Sequence, residues 1–440
     1  VRLVRAQLFH TPANPFRTPS ALEAHADGGL ALAGGRVLAC GDFDDVRRRY
    51  PAAEVVDARG SVLLPGLVDT HVHYPQLPII GAMGMRLLAW LEQRTLPHEE
   101  AFADAAFARA QARIFLRHLA RNGTTSALVF GAHFAGAMDA FFAEAERSGL
   151  RITAGLVVSD VRLTAALHTT PERAFNEGLG LIERWHGRGR LRYAVTPRFS
   201  LSCSEALLEA CGELFRQVPD LVFTSHLNET PDEIAAVRKS FPWAQDYLAT
   251  YERYGLVARR SVFAHDVHPT DGELARLSHA QASVAHCPSS NSFIGSGLFP
   301  LRRHLEHSVR VALGSDVGGG TGLSLLKEGL EAYQHQMLRE DGYLLTPAHL
   351  LYLATRAGAE ALGLDTGDFV PGKRADFVLL RPPPESTLEA VLAHSPSAEA
   401  ALGALFTLAR EESVEATYVS GEAVYTRATD VRRPAGSGTG

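Results

Sequence analysis

The chain reads as an α/β protein, a (β/α)8 TIM barrel with a small β-sandwich domain built from both termini. Three observations carry that reading. Eight short apolar or β-branched runs alternate with amphipathic or alanine-rich segments through the middle of the chain. Several of these runs end in histidine or aspartate. Both ends of the chain change texture to short strands and turns, and neither end alone has enough strands for a stable sheet.

The elements follow in order. Residues 1–63 carry strand-like runs at 3–9, 29–33, 36–40 and 54–56 and form the N-terminal part of the sandwich. Residues 64–365 form the barrel, with strands expected near 66–72, 124–130, 152–158, 191–196, 221–226, 261–265, 282–286 and 310–315. Helical segments fill the gaps, among them 101–121, 136–148, 204–216 and 323–340. Residues 366–430 return to the sandwich through 375–380 and 414–426, where Ser420-Gly421 is a hairpin turn signal. Between them, 382–400 reads as a loop plus a short helix. The glycine- and serine-rich end, 431–440, should be disordered.

Composition narrows the function. At 440 residues the chain can bury a large core and exceeds one typical domain. A net charge of −6 without a basic cluster argues against a nucleic-acid partner. No apolar run has the length of a membrane span, and no charged-then-apolar leader opens the sequence. The four cysteines, Cys40, Cys203, Cys211 and Cys287, include no Cys-x-x-Cys pair and fit free thiols in a reducing compartment. A soluble cytoplasmic enzyme is expected.

The strand ends are the informative places. In the run from Pro65 to His73, side chains alternate faces, so Asp69, His71 and His73 project together. Two neighbouring imidazoles at a strand end are suited to a metal, since neutral imidazole is the commonest zinc ligand. Alone, His-x-His is a weak signal, and two surface or core histidines would explain it better. Three further runs change the balance. They deliver His226, His265 and Asp316 at their C-terminal ends, and a barrel brings all five residues to one mouth.

Six stretches then carry a resemblance: PGLVDTHVHYPQ (65–76), LLAWLEQRTLPHEE (87–100), TPRFSLSCSE (196–205), SHLNET (225–230), AHCPSSN (285–291) and LGSDVGGG (313–320). With these the sequence resembles the amidohydrolase superfamily and, within it, the guanine deaminase family, over about residues 60 to 380. The resemblance implies hydrolytic deamination of guanine to xanthine and ammonia by a metal-activated hydroxide, on a small-molecule purine, in a homodimer. It implies His71, His73, His226 and Asp316 as metal ligands. Binuclear relatives bridge two metals with a lysine on the fourth strand. Here that strand has none, and Lys239, Lys327 and Lys373 lie elsewhere, so one metal per chain is expected: zinc, with iron as the alternative.

Further roles follow from the same resemblance. Glu229, three residues past His226, becomes the proton shuttle; without the family it would equally be a glutamate opposing a helix dipole. Asp316 both ligates and accepts a proton on its way to the leaving ammonia. His265 orients the attacking hydroxide and the substrate. Gln76, Arg198 and Phe199 bind the base, because Arg donates fixed forked hydrogen bonds to an acceptor and Phe stacks on a ring. The local alternative is a surface arginine and a core phenylalanine. Trp90 with Leu87 and Leu88 either closes over the pocket or packs as an ordinary helix. His286 and Asn291 are expected to support the ligands. His304-Leu305-Glu306 mimics a cytidine-deaminase motif, but no Pro-Cys-x-x-Cys accompanies it, which excludes that zinc site.

Two other readings stand beside the first. One keeps the metal and Glu229 but changes the ring, to 8-oxoguanine, a pterin or an s-triazine. The other is a metal-free scaffold; such relatives lose ligands, whereas here every ligand position is filled.

Overall fold

In the computed structural model, residues 1–430 are described. Four strands open the chain: β1 (Arg2–His10), β2 (Glu23–Ala33), β3 (Arg36–Asp42) and β4 (Glu54–Pro65). Nine follow in the middle: β5 (Leu67–His73), β6 (Thr124–Phe130), β7 (Arg151–Gly155), β8 (Val157–Val158), β9 (Leu191–Pro197), β10 (Val222–Leu227), β11 (Ser261–His265), β12 (Ser283–His286) and β13 (Arg310–Leu313). Three more come late: β14 (Phe377–Leu380), β15 (Val414–Val419) and β16 (Glu422–Thr426).

The middle strands form a parallel sheet in the order β13-β12-β11-β10-β9-β7-β6-β5, with β8 beside β9. All eight barrel strands coincide with the runs read from the sequence. Most of their residues are buried, and four of the strands are buried throughout on both faces, as a parallel barrel wall requires. Between β13 and β5 the wall closes through the chain just beyond β13: Asp316 N donates to His71 O at 2.9 Å, and His73 N donates to Val317 O at 3.2 Å. That approach needs a glycine. A Cβ on Gly314 would lie 2.9 Å from the Cβ of His71.

Helices cover the outside. The helix Ala105–Arg121 starts where Asp104 caps the amides of Ala106 and Phe107, and it buries Ala108, Ala112, Phe115 and Leu119 at helical spacing. The helix Pro231–Ser240 begins with Pro at N1 and a capping box between Thr230 and Glu233. The segment around 382–400 holds two helices, Thr387–Ala393 and Ala398–Leu408, one more than the sequence suggested.

Both termini build one seven-stranded mixed sheet in the order β16-β15-β14-β4-β1-β2-β3. The antiparallel β15–β16 pair is joined by Ser420-Gly421, both with positive φ, as that turn signal implied. The sheet is tied to the barrel by Arg151, whose Nη2 donates to Asp376 Oδ1 at 3.0 Å and to Ser420 Oγ at 2.6 Å. The expected disordered tail, 431–440, lies outside the described residues. No helix among the described residues is long and apolar enough to cross a membrane.

Candidate metal centre and active site

His71 and His73 sit at the end of β5, His226 near the end of β10, His265 at the end of β11 and Asp316 just past β13. Ligand atoms of His71, His226, His265 and Asp316 all lie within 4.8 Å of one another. His73 joins them: its Nε2 is 3.1 Å from His71 Nε2 and 3.2 Å from Asp316 Oδ1. The mouth therefore gathers all four expected ligands and His265 as well. Asn228, His265, Asp266 and Asp316 adopt left-handed backbone conformations, with φ of 48°, 72°, 46° and 47°. Such conformations cost about 1–3 kcal/mol each and concentrate where a site holds the backbone in place.

The donor set fits a divalent metal. Burial, followed by the crowding of neighbouring imidazoles, pushes His226 well below its usual pKa, and burial takes His73 to about 4. Neutral imidazoles are what a metal binds. Two of the rings are also oriented from behind. His226 Nδ1 is 2.6 Å from the carbonyl oxygen of Arg198, and His265 Nδ1 is 3.0 Å from Asn291 Oδ1. Each contact suits an Nδ1–H donor and leaves Nε2 facing the cluster.

Not every expected neighbour takes part. Asp69 stands outside the ligand cluster: its carboxylate accepts from His71 N, Ser315 N and Ser315 Oγ, the last at 2.6 Å. It ties β5 to the segment past β13, and burial raises its pKa to about 7. His286 stacks on Phe299 with ring centroids 4.2 Å apart, and neither of its ring nitrogens finds a hydrogen-bond partner among the described residues. Only Asn291 of that pair supports a site residue.

Beside the cluster a pocket is lined by Gln76, Trp90, Arg198, Phe199, Glu229 and His265, among others. Trp90 and Leu87 thus face the pocket rather than merely packing in a helix. Glu229 is buried, with Oε2 3.6 Å from His265 Nε2 and Oε1 accepting from Ser296 Oγ at 3.1 Å. Burial and then the charge of Asp316 push its carboxyl up to about 8. Behind it, Glu233 accepts from the Glu229 amide at 3.0 Å and fixes the local backbone.

Behind Arg198 and Gln76 lies a buried polar group that sequence reasoning missed. Glu99 Oε2 accepts from Arg198 Nη1 at 2.6 Å and lies 3.3 Å from His133 Nε2, while its Oε1 accepts from Gln76 Nε2 at 2.9 Å. Gln76 Oε1 in turn accepts from Gly318 N at 3.1 Å. Burial raises the Glu99 pKa, but Arg198 and His133 outweigh it and hold the carboxyl below the usual range. His133 lies three residues past β6, so the strand-end rule could have found it. Glu99 sits beside Glu100, and nothing local distinguishes the two.

Residues 62–424 match the amidohydrolase family model. The chain belongs to the amidohydrolase family. Members of this family generally use a divalent metal, in keeping with the buried histidines and aspartate. A short stretch, 28–53, also matches an imidazolonepropionase-like composite domain of bacteria. The chain is 59% identical to a protein of Deinococcus radiodurans named "Probable guanine deaminase", with 97% of this chain and 99% of that one covered. It is 40% identical to guanine deaminase of Escherichia coli, with 94% of each covered. The solved E. coli guanine deaminase superposes with a TM-score of 0.93 at 39% identity, covering 97% of this chain and all of that one.

Proposed function

We propose that the protein deaminates guanine hydrolytically, giving xanthine and ammonia. The observation that carries this reading is a single pocket lined by a buried carboxylate, metal-competent histidines and a buried arginine. Full-length similarity to proteins named guanine deaminase supports it from a separate side.

His71, His73, His226 and Asp316 would hold one metal, zinc in our reading and iron as the alternative; His265 is near enough to share in holding it. Such an ion is a Lewis acid that brings the pKa of water from about 15.7 to about 7. Glu229 takes the proton of the attacking water and passes it to the ring nitrogen next to the attacked carbon. His265, held by Asn291, orients the water and the substrate. Asp316 accepts the second proton and hands it to the departing amine. Arg198 and Gln76 donate to the exocyclic oxygen of the purine, and Phe199 stacks on the ring.

A cytoplasmic homodimer belongs to the same proposal, supported by four free cysteines for the compartment and by the family for the assembly. A metal-free scaffold is disfavoured because no ligand position is lost. Ammonia release from a panel of guanine, adenine, 8-oxoguanine, a pterin and an s-triazine tests the choice of ring. Guanine should lead the panel; release from another ring alone would replace the assignment.

A further inference from the structure

The base-reading end of the pocket contains an arginine, yet it carries no net charge. Arg198 lines the cavity, and Glu99 lies directly behind it, buried, with the carboxylate 2.6 Å from the guanidinium. The other polar neighbours are neutral: Gln76, an amide, and His133, whose ring burial lowers in pKa. Glu99 does not itself line the pocket, so a ligand meets the guanidinium N–H groups of Arg198 while the compensating charge stands one side chain away; the amide nitrogen of Gln76 is already engaged by Glu99 Oε1 at 2.9 Å and by His73 Nδ1 at 3.2 Å.

These two facts have different consequences for two kinds of ligand. A neutral carbonyl is bound by N–H dipoles, which Glu99 leaves in place and orients. An anion is bound mainly by net charge, which Glu99 cancels. We infer that Glu99 is a specificity-determining positioning residue, which makes the arginine end of the pocket select neutral lactam rings over anionic ligands. The inference rests on the guanine reading only for the identity of the ring.

It also explains why one carboxylate serves two donors. Oε1 takes Gln76 and Oε2 takes Arg198, so the two side chains are set at a fixed separation before a ligand arrives. Hydrolysis replaces an amidine by an imide, whose N–H is flanked by two carbonyls and ionises more readily. A pocket that disfavours anions releases such a product more easily than one with a bare guanidinium.

The test uses two purines of nearly equal shape, purine-6-carboxamide and purine-6-carboxylate, titrated calorimetrically into the metal-loaded enzyme. Wild type should bind the carboxamide more tightly. In Glu99→Gln the affinity ratio should move toward the carboxylate by about 10–100-fold, the effect of removing one charge a few ångströms behind the site at an effective dielectric near 20. Glu99→Asp, which keeps the charge, should retain the wild-type ratio even where both affinities fall. If Glu99 only supported the fold, both ligands would weaken together in Glu99→Gln with the ratio unchanged, and the inference would be overturned. Should Glu99→Gln not fold, wild type still decides, because tighter binding of the carboxylate contradicts the inference. Ammonia release from guanine, measured on the same wild-type preparation, separates this from the function itself: its absence would count against the guanine reading and leave the binding ratio to judge Glu99.

Discussion

Arg198 serves the two halves of the site with two different groups: its carbonyl oxygen lies 2.6 Å from His226 Nδ1, and its guanidinium meets the pocket and Glu99. The backbone of one residue thus orients a metal-competent ring while its side chain faces the substrate. Mutation of the side chain should therefore separate the two functions.

Arg198→Ala keeps the carbonyl and so should keep the metal. It removes the donor that distinguishes an exocyclic oxygen from an exocyclic amine. Because sites built on such donors reject the wrong ligand by about 10⁴-fold or more, wild type should leave adenine essentially untouched. In the variant, kcat/KM for guanine should fall by at least about 10²-fold with metal content unchanged. Normal activity of the variant, or adenine turned over as well as guanine, would remove Arg198 as a reader of the base.

Glu229→Gln preserves shape and the Ser296 contact but cannot carry a proton. The rate should drop by about 10²–10⁴-fold, as for loss of a general acid–base group. Metal occupancy should stay at the wild-type level, because Glu229 is 3.6 Å from His265 and is not assigned as a ligand. A variant that purifies without its metal would contradict this assignment.

A histidine at the end of a strand was legible because period-two alternation and a barrel are enough to aim it at the mouth. That placed His71, His73, His226 and His265, while their roles came from the family resemblance. Glu99 was not legible, since what selects it is a contact between segments far apart in sequence, 99 residues in the case of Glu99 and Arg198. The length of β4 was missed for a different reason. Exposed Asp57 and Arg59 interrupt its apolar alternation, so only 54–56 was read as strand, whereas pairing with β1 and β14 continues to Pro65. The helix Ala398–Leu408 was obscured by the three prolines that precede it at 382–384, which made the whole segment read as mostly loop.

Glu328 offers a pH test away from the cluster. It is fully buried and accepts from Ser289 N at 2.9 Å and Ser289 Oγ at 2.7 Å, and burial raises its carboxyl to about 8. The folded pKa lies above the ordinary carboxyl value of about 4.3, so the folded state holds this proton more tightly than the unfolded chain. Its contribution to stability is complete below about pH 4 and is lost as pH rises toward about 8. Glu328→Gln cannot ionise. The difference in Tm, variant minus wild type, should therefore increase from pH 5 to pH 8. A difference that stays constant over that range would show that Glu328 ionises normally.

Metal removal addresses the cluster directly. Purified protein should contain about one zinc or iron per chain, and chelation should abolish activity until the ion is restored. Two metals per chain, or full activity without any, would contradict the mononuclear assignment that the absence of a lysine on β9 supports.

The most direct measurement is the ultraviolet conversion of guanine by metal-replete enzyme, with ammonia counted in the same cuvette. The account predicts xanthine and ammonia in equal amounts, and no corresponding reaction with adenine. Guanine left unchanged by enzyme with its metal in place would contradict it.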